Sequence, residues 1–372
     1  MRRLVSGRVA VRLGVSCALL AAAIGIAFAA SMALVAFTGG SAVGAGSAML
    51  RGSVESTASL VTSIDRATPL LLVAIGTVIA GRAGLINVGQ EGQLLLGAIA
   101  GTAFGLTVTG SGWLGQAGLL VASAVGGALW AGIAAALRTW ARVNETVSTL
   151  LLNYVAVQLT YFLVSRGWLL QAPPGSQALS KPAPLGDLLP TVMQGPGYAL
   201  TLGTIIAVIL ACAGAVLLRR SKFGLDLRVL GFNAQCAGTF GIKRKSILFS
   251  SLVISGATAG LAGGVLLSVT PGGVTPTFSA NYGWDGLLVA LVANFQPLVI
   301  IPVALGFGMI RAGADFVVAS GVNAAIAYVF EGLIALAVLV PSIVVQRQIW
   351  ALRLAGGMLR RPGREQQEGT NA

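Results

Sequence analysis

Four polar side chains, Asn87, Gln90, Glu91 and Gln93, stand close together in a segment, residues 81–97, that is flanked on both sides by apolar stretches long enough to enter a bilayer. A charged group near the middle of a membrane costs roughly 2.5–3.5 kcal/mol on insertion scales, and chains that keep one usually aim it at a substrate path or a partner. A carboxylate among three amides can serve in three ways: it can cap a helix, bond the hydroxyls of a polar solute, or titrate as a coupling site. Acid–base or nucleophilic catalysis is not expected. The chain has no histidine, and with it go the commonest general base, the commonest zinc ligand and every Ser-His or Cys-His dyad. No metal or cofactor is expected.

The elements that must position these groups follow from composition. The chain is 56% hydrophobic and 9% charged, against about 25% charged in an ordinary soluble domain, which describes an all-α polytopic membrane protein. Its 51 glycines fit, because small residues let transmembrane helices approach closely. Cys17, Cys212 and Cys236 have no paired spacing and imply no disulfide framework. The net charge of +13 does not point to nucleic acid, since the basic residues sit beside hydrophobic segments.

Windows of about 20 apolar residues give about ten crossings, near 13–37, 67–81, 93–110, 114–137, 147–165, 198–218, 247–268, 285–295, 297–311 and 323–345. The eighth is too short to cross unaided and reads as a half helix or re-entrant segment, which membranes accept only where protein or water covers the broken backbone. Lys and Arg favour cytoplasmic loops. On a map with both termini inside, only Arg51, Arg66, Arg166, Lys181 and Arg311 fall on the outer side. The organisation expected is a cytoplasmic N-terminus at 1–12, a membrane domain at 13–345 with an inner loop at 219–245 and an outer loop at 171–197, and a cytoplasmic tail at 346–372. Basic residues, an apolar run and Ala27-Phe-Ala29 resemble a cleaved signal peptide, but the run continues to Phe37, beyond the 7–15 residues of a signal core, so a retained first helix is expected. The proline-rich outer loop reads as a rigid cap or irregular stretch.

Asn87-Val-Gly-Gln-Glu91-Gly-Gln-Leu can be laid on Asn281-Tyr-Gly-Trp-Asp285-Gly-Leu-Leu without a gap. Five crossings separate the copies, an odd number that makes them antiparallel, as in inverted repeats of five plus five helices. Each copy also reads as a helix start, with Asn or Gly near the cap and an acid in the first turn. For Asp285, capping and a functional role are equally open; for Glu91, a path or inter-helix role is the expectation.

Segment 219–245 mixes basic ends with an apolar centre. Asn233 can cap a short helix through Ala237 and Gly241 can stop it. Such a helix with apolar knobs suits another protein's groove, the alternative being an amphipathic stretch on lipid headgroups.

Asn87-Val-Gly-Gln-Glu-Gly-Gln-Leu-Leu-Leu-Gly-Ala, Asn144-Glu-Thr-Val-Ser-Thr-Leu-Leu-Leu-Asn-Tyr-Val-Ala156, Arg228-Val-Leu-Gly-Phe-Asn233 and Ser255-Gly-Ala-Thr-Ala-Gly-Leu-Ala-Gly263 together resemble the permease subunits of bacterial ABC importers for branched-chain amino acids, sugars and nucleosides. The first two motifs are most similar to the nucleoside branch. The resemblance covers about 68–340. It implies the architecture of the vitamin B12 importer class (type II), a multi-pass protein of the bacterial inner membrane, and three partners: an ATP-binding subunit, a second permease subunit and an extracytoplasmic substrate-binding protein. The translocation candidates are then Asn87, Gln90, Glu91, Gln93, Asn153, Asn281 and Asp285; those for ATPase coupling are Arg228, Gly231, Phe232, Asn233 and Gly241. Ala234, Cys236 and Gly238 depart from the family pattern, which leaves the local helix ends open. The chain has no Gly-x-x-x-x-Gly-Lys-Ser/Thr, so ATP must be hydrolysed by a partner. Alternatives are a permease for sugars or other small polar solutes, an ion-coupled transporter in which Glu91 and Asp285 titrate, and a membrane scaffold.

Overall fold

The computed structural model describes residues 22–322 except 24, 38–40, 109–111, 168–169, 173–177, 185, 187, 197 and 271, together with 329, 332, 333, 336 and 337. The expected segments 1–12 and 346–372, and nearly all of the span at 323–345, lie outside these residues.

The described chain is helical apart from one hairpin. Helices α1 (Gly25–Phe37), α2 (Ala42–Ser53), α3 (Thr57–Arg82), α4 (Gln90–Thr107), α5 (Trp113–Thr139) and α6 (Glu145–Val164) come first. Strands β1 (Thr191–Gly195) and β2 (Tyr198–Thr201) follow as an antiparallel pair with an irregularity between Thr191 and Met193. Then come α7 (Leu202–Arg220), α8 (Lys222–Phe232), α9 (Ala234–Thr239), α10 (Arg244–Val269), α11 (Tyr282–Val292) and α12 (Ile300–Ala319). Six of these, α3, α5, α6, α7, α10 and α12, are long and apolar enough to cross a membrane, where hydropathy alone suggests ten crossings. Helix α4 begins Gln-Glu-Gly-Gln, which lowers its mean hydropathy, and α11 has 11 residues, about 16 Å at 1.5 Å per residue.

Two boundaries differ from the sequence expectation for one reason. Helix α3 starts ten residues before the expected 67, and α12 runs eight residues past the expected 311. Hydropathy windows stop at charged residues, but Asp65, Arg66 and Arg311 lie inside the helices: Asp65 and Arg311 are buried, and Arg66 pairs with Asp315 at 3.0 Å. Helix α2, an addition, is capped by Ser41, whose hydroxyl accepts the Gly44 N–H. Part of the outer loop folds as the hairpin, and Ser180 in that loop is buried against Val274, giving its N–H to the Val274 carbonyl and accepting the Val274 N–H on Oγ at 2.7 Å.

At the centre α3 and α10, 26 residues each, cross one another and are covered by α4, α5, α11 and α12. Of the most apolar stretch of α3, 83% lies inside the protein, against 33% for α5, α6 and α7. Their outward faces, with Leu129, Leu151 and Ile209 exposed, are of the kind that lipid or another subunit covers. Close approach holds the centre together. A Cβ on Gly97 would stand 2.3 Å from the Cα of Gly260, and one on Gly127 would stand 2.3 Å from the Gly256 carbonyl oxygen. Lipid gives helices no hydrophobic drive to associate, so van der Waals contact at such crossings carries the packing.

The C-terminal ends of α3, α5 and α7 and the start of α10 gather at one face, which carries Arg82, Arg138, Arg219, Arg220, Arg228 and Lys243 to Lys245; this is the basic face. Helix α4 runs away from it and α11 runs toward it, so the two copies of the repeated motif are antiparallel in space.

Candidate functional site

After Arg82 the chain reverses. Gly84 takes φ +76°, and residues 85–88 re-enter the bundle without helix or strand before α4 begins. The re-entry is fixed by hydrogen bonds to α3: Thr77 donates to Gln90 Oε1 at 2.6 Å, and Gln90 Nε2 donates to the Val73 carbonyl at 3.0 Å. Those residues lie five and nine positions before Arg82, which puts the start of α4 about 7–14 Å inward from the basic face.

Asn87 and Gln93 face each other through their amides, with Asn87 Nδ2 donating to Gln93 Oε1 at 2.9 Å and Gln93 Nε2 donating to Asn87 Oδ1 at 3.1 Å. Asn87 Oδ1 also accepts the Gly89 N–H, while Asn87 Nδ2 and Gln90 Nε2 both donate to Ser255 Oγ on α10. Asn87, Gln90 and Gln93 are 0%, 1% and 2% exposed. Buried amides are tolerated when their bonds are made, and these bonds tie α4 to α3 and α10. Three of the four amides and acids that open the motif thus face the interior of the bundle and not a cavity.

Glu91 points elsewhere. Its Oε1 accepts the N–H of Asn281 at 3.0 Å and its Oε2 accepts the N–H of Gly283 at 2.7 Å. Those are orphan donors at the start of α11, so Glu91 caps a helix that follows it by 190 residues and neutralises the positive end of its dipole. Gly283 permits the approach, since a Cβ there would stand 2.3 Å from the Glu91 nitrogen. The start of α4 is capped in the same manner from outside: Asn153 of α6 accepts the Gly92 N–H on Oδ1 at 2.9 Å and donates from Nδ2 to the Val88 carbonyl at 2.9 Å. Thr149, one turn earlier on α6, accepts the Val88 N–H.

Glu91, Asn153 and Asn281 line a cavity of about 500 Å³ together with Thr277, Ser279 and the aromatic faces of Tyr154 and Trp284. The remaining candidate, Asp285, sits on the other side of α11, 3.5 Å from the Arg311 guanidinium. That guanidinium also lies over the Tyr282 ring at 3.9 Å and donates to the Ala280 carbonyl. Sequence reasoning missed Arg311, Arg66 and Asp315 as residues of the site. The available signal was a charge within an apolar run, which in membranes usually marks a paired group inside the bundle. Thr77 carried no signal, and Ser255 and Thr149 were marked only by lying in the family-like motifs.

At the basic face, Asn233 Oδ1 accepts the N–H groups of Gln235 and Cys236, Gly241 takes φ +69°, and α9 lies between them, as the residues suggested. Leu227, Leu230 and Ala237 pack inward, whereas Phe232 is 95% and Phe240 76% exposed. Arg228 Nε bonds back to the Gly224 carbonyl. Gly231 faces its own chain, seated on the turn at Arg82–Gly84.

The family model for the branched-chain amino acid transport system / permease component matches residues 59–339. The chain is 32% identical over 279 residues to the glucose ABC transporter permease protein TsgB13 of Haloferax volcanii, covering 73% of each chain. It is 29% identical over 339 residues to the guanosine ABC transporter permease protein NupP of Bacillus subtilis, covering 90% of this chain and 94% of that one. It is 27% identical over 277 residues to the nucleoside ABC transporter permease protein NupB of Lactococcus lactis, covering 73% and 76%. No solved structure matches the chain. With a family match over most of its length, apolar helices that cross the bilayer several times and polar groups spent on holding helix starts, the chain belongs to the permease components of ABC transport systems: a multi-pass membrane subunit, not an enzyme.

Proposed function

We propose that this permease carries nucleosides inward across the cytoplasmic membrane, driven by ATP hydrolysed on a partner subunit. The observation that carries the reading is the cavity. It pairs two aromatic faces, Tyr154 and Trp284, with Glu91, Asn153 and Asn281, and a nucleoside presents a flat base and a hydroxylated sugar. Stacking of a base on an aromatic face is worth about 1–3 kcal/mol, and amides and hydroxyls suit ribose. Glu91, Asn153 and Asn281 then belong to the path, while Asn87, Gln90, Gln93 and Asp285 set the shape and height of its wall. Relatives named for guanosine and for nucleosides support the solute class, and the relative named for glucose supports the sugar alternative.

The partners are an ATP-binding subunit, a second permease subunit and an extracytoplasmic binding protein. The basic face is cytoplasmic, with both termini on that side, and α8–α9 is the segment that docks on the ATPase. Phe232 and Phe240, standing clear of the permease at that face, support this, and a charge placed at Phe232 should abolish the docking. The motif copies at α4 and α11, each after a 26-residue helix and antiparallel to the other, support the inverted repeat and the type II arrangement of about ten crossings.

Reconstitution of the whole complex with labelled guanosine, adenosine and glucose tests the solute. Nucleosides should be taken up and should stimulate ATP hydrolysis; uptake of glucose with none of guanosine or adenosine would replace nucleosides by sugars. A reporter fused after Lys245 should be cytoplasmic and one near Ser180 external, and finding both on one side would overturn the map.

A further inference from the structure

Helix α11 is a rod with a hinge at each end. Among the described residues five that are not glycine have positive φ, and four of them flank α11: Ala280 (42°) and Asn281 (65°) before it, Asn294 (51°) and Phe295 (51°) after it. Left-handed backbone costs a residue with a Cβ about 1–2 kcal/mol, a cost that bears on Ala280 and Phe295 more than on the asparagines, which tolerate it. It persists only where the surroundings over-determine it, and it collects at switch regions.

Both hinges are held by charged side chains from other helices. At the inner-bundle end, Glu91 accepts from Asn281 and Gly283 while Arg311 donates to the Ala280 carbonyl. At the basic-face end, Arg82 Nε donates to the Phe295 carbonyl at 3.0 Å, and the Phe295 ring lies on Gly81, where a Cβ would come within 2.3 Å of it. The turn that carries Arg82 is also the seat of α8. A Cβ on Gly231 would stand 2.3 Å from the Arg82 carbonyl oxygen and 3.1 Å from the Gly84 nitrogen. A contact without slack transmits displacement, because packed interfaces do not deform continuously. Movement of α8 therefore reaches Arg82, then the hinge at Phe295, then α11, which carries Trp284 and the Asn281 turn in the cavity wall.

We propose that α11 is the moving element between the α8–α9 segment and the cavity, and that Arg82 is the positioning residue that passes the movement to it. The proposal rests on the reading that α8–α9 docks on the ATPase. The two are separable: Phe232→Asp tests docking through association with the ATPase, whereas Arg82 is tested in complexes that remain assembled.

The experiment uses the complete complex in liposomes, with Cys17, Cys212 and Cys236 replaced by serine and Trp284→Cys as a reporter labelled by a small maleimide. Labelling should differ by about threefold or more between the nucleotide-free and the vanadate-trapped complex, as expected for a gating element. Arg82→Ala should erase that difference and lower solute moved per ATP by about tenfold in the Trp284 parent, with ATP hydrolysis retained. Arg82→Lys, which keeps a donor, should restore part of both. A merely structural role would lower assembly and ATP hydrolysis together and leave solute per ATP unchanged. Equal labelling in the two states, or parental solute per ATP in Arg82→Ala, would overturn the proposal. Should Arg82→Ala not assemble, Arg82→Met, which keeps the stem and removes the donor, decides: a parental labelling difference and parental coupling in it overturn the role of Arg82.

Discussion

Asn87 and Asn281 occupy the same place in the repeated pattern, each two residues before a glycine and four before an acid, yet the two helix starts are built in opposite ways. At α4 the asparagine is consumed in a closed amide network with Gln93 and Ser255, and the acid four residues on, Glu91, is released to reach another helix. At α11 the asparagine is itself the left-handed cap residue, and the acid, Asp285, turns to an arginine on α12. The caps are asymmetric in charge as well: α4 receives the neutral amide of Asn153 and α11 the carboxylate of Glu91. A helix start in a bilayer must find acceptors for its first N–H groups, and water does not supply them. Which neighbour supplies them is free to differ, and that freedom makes one copy a fixed anchor and the other a hinged rod.

The largest effect should come from separating the charges behind α11. Removing Arg311 alone, as Arg311→Met, breaks its ion pair with the buried Asp285, a loss of up to about 3–5 kcal/mol of the kind measured for broken buried pairs. The double variant with Asp285→Leu should recover part of it, which thermal unfolding in detergent would read as coupling between the sites. Additive losses would mean that the pair does not hold α11.

Next is the carboxylate that joins the two starts. Glu91→Ala strands the buried N–H of Gly283, at about 1–3 kcal/mol, and the part-buried N–H of Asn281, which costs less, while Glu91→Gln keeps one acceptor and loses the charge. Glu91→Gln should therefore assemble at the parental level with sharply reduced uptake, and Glu91→Ala should lose stability as well. Full uptake by both would leave Glu91 a cap only. Asn153→Ala, which removes the cap of α4, should cost about 1–2 kcal/mol and lower the melting temperature of the isolated permease.

The smallest effect sharpens the contrast most. Asn281→Gly keeps the backbone free to hold φ +65° and should change stability by less than about 1 kcal/mol. Asn87→Gly at the matching position should cost several times more, because it breaks the amide pair and leaves Gln93 and the Gly89 N–H without their partner. Equal costs at the two positions would erase the distinction between anchor and rod.

Much of this was legible in the chain. Hydropathy located the bodies of α5, α6, α7 and α10 within three or four residues, because their apolar stretches end at basic residues or turns and nothing charged interrupts them. It also marked α11 as too short to cross. The ends of α3 and α12 escaped it, since a window cannot tell a charge that ends a helix from one paired inside, as Arg66 is with Asp315. The α8–α9 segment was readable to the residue at Asn233 and Gly241, where a cap and a left-handed stop are local requirements of one short helix.

By itself, then, the sequence determined a helical membrane protein, the polar positions at which its helices start inside the bundle and the family to which it belongs, because insertion cost, capping and glycine's φ freedom are properties of short segments. Only the tertiary structure decided what each polar group does: that Gln90 binds α3, that Glu91 crosses to α11, that Gly231 sits against Arg82 and not outward, and that Phe232 does face outward. The physical reason is that a buried hydrogen-bonding group must find a partner but its sequence neighbours do not say which one. Here several of the partners lie more than a hundred residues away, brought within 3.2 Å by the crossing of α3, α4, α10 and α11.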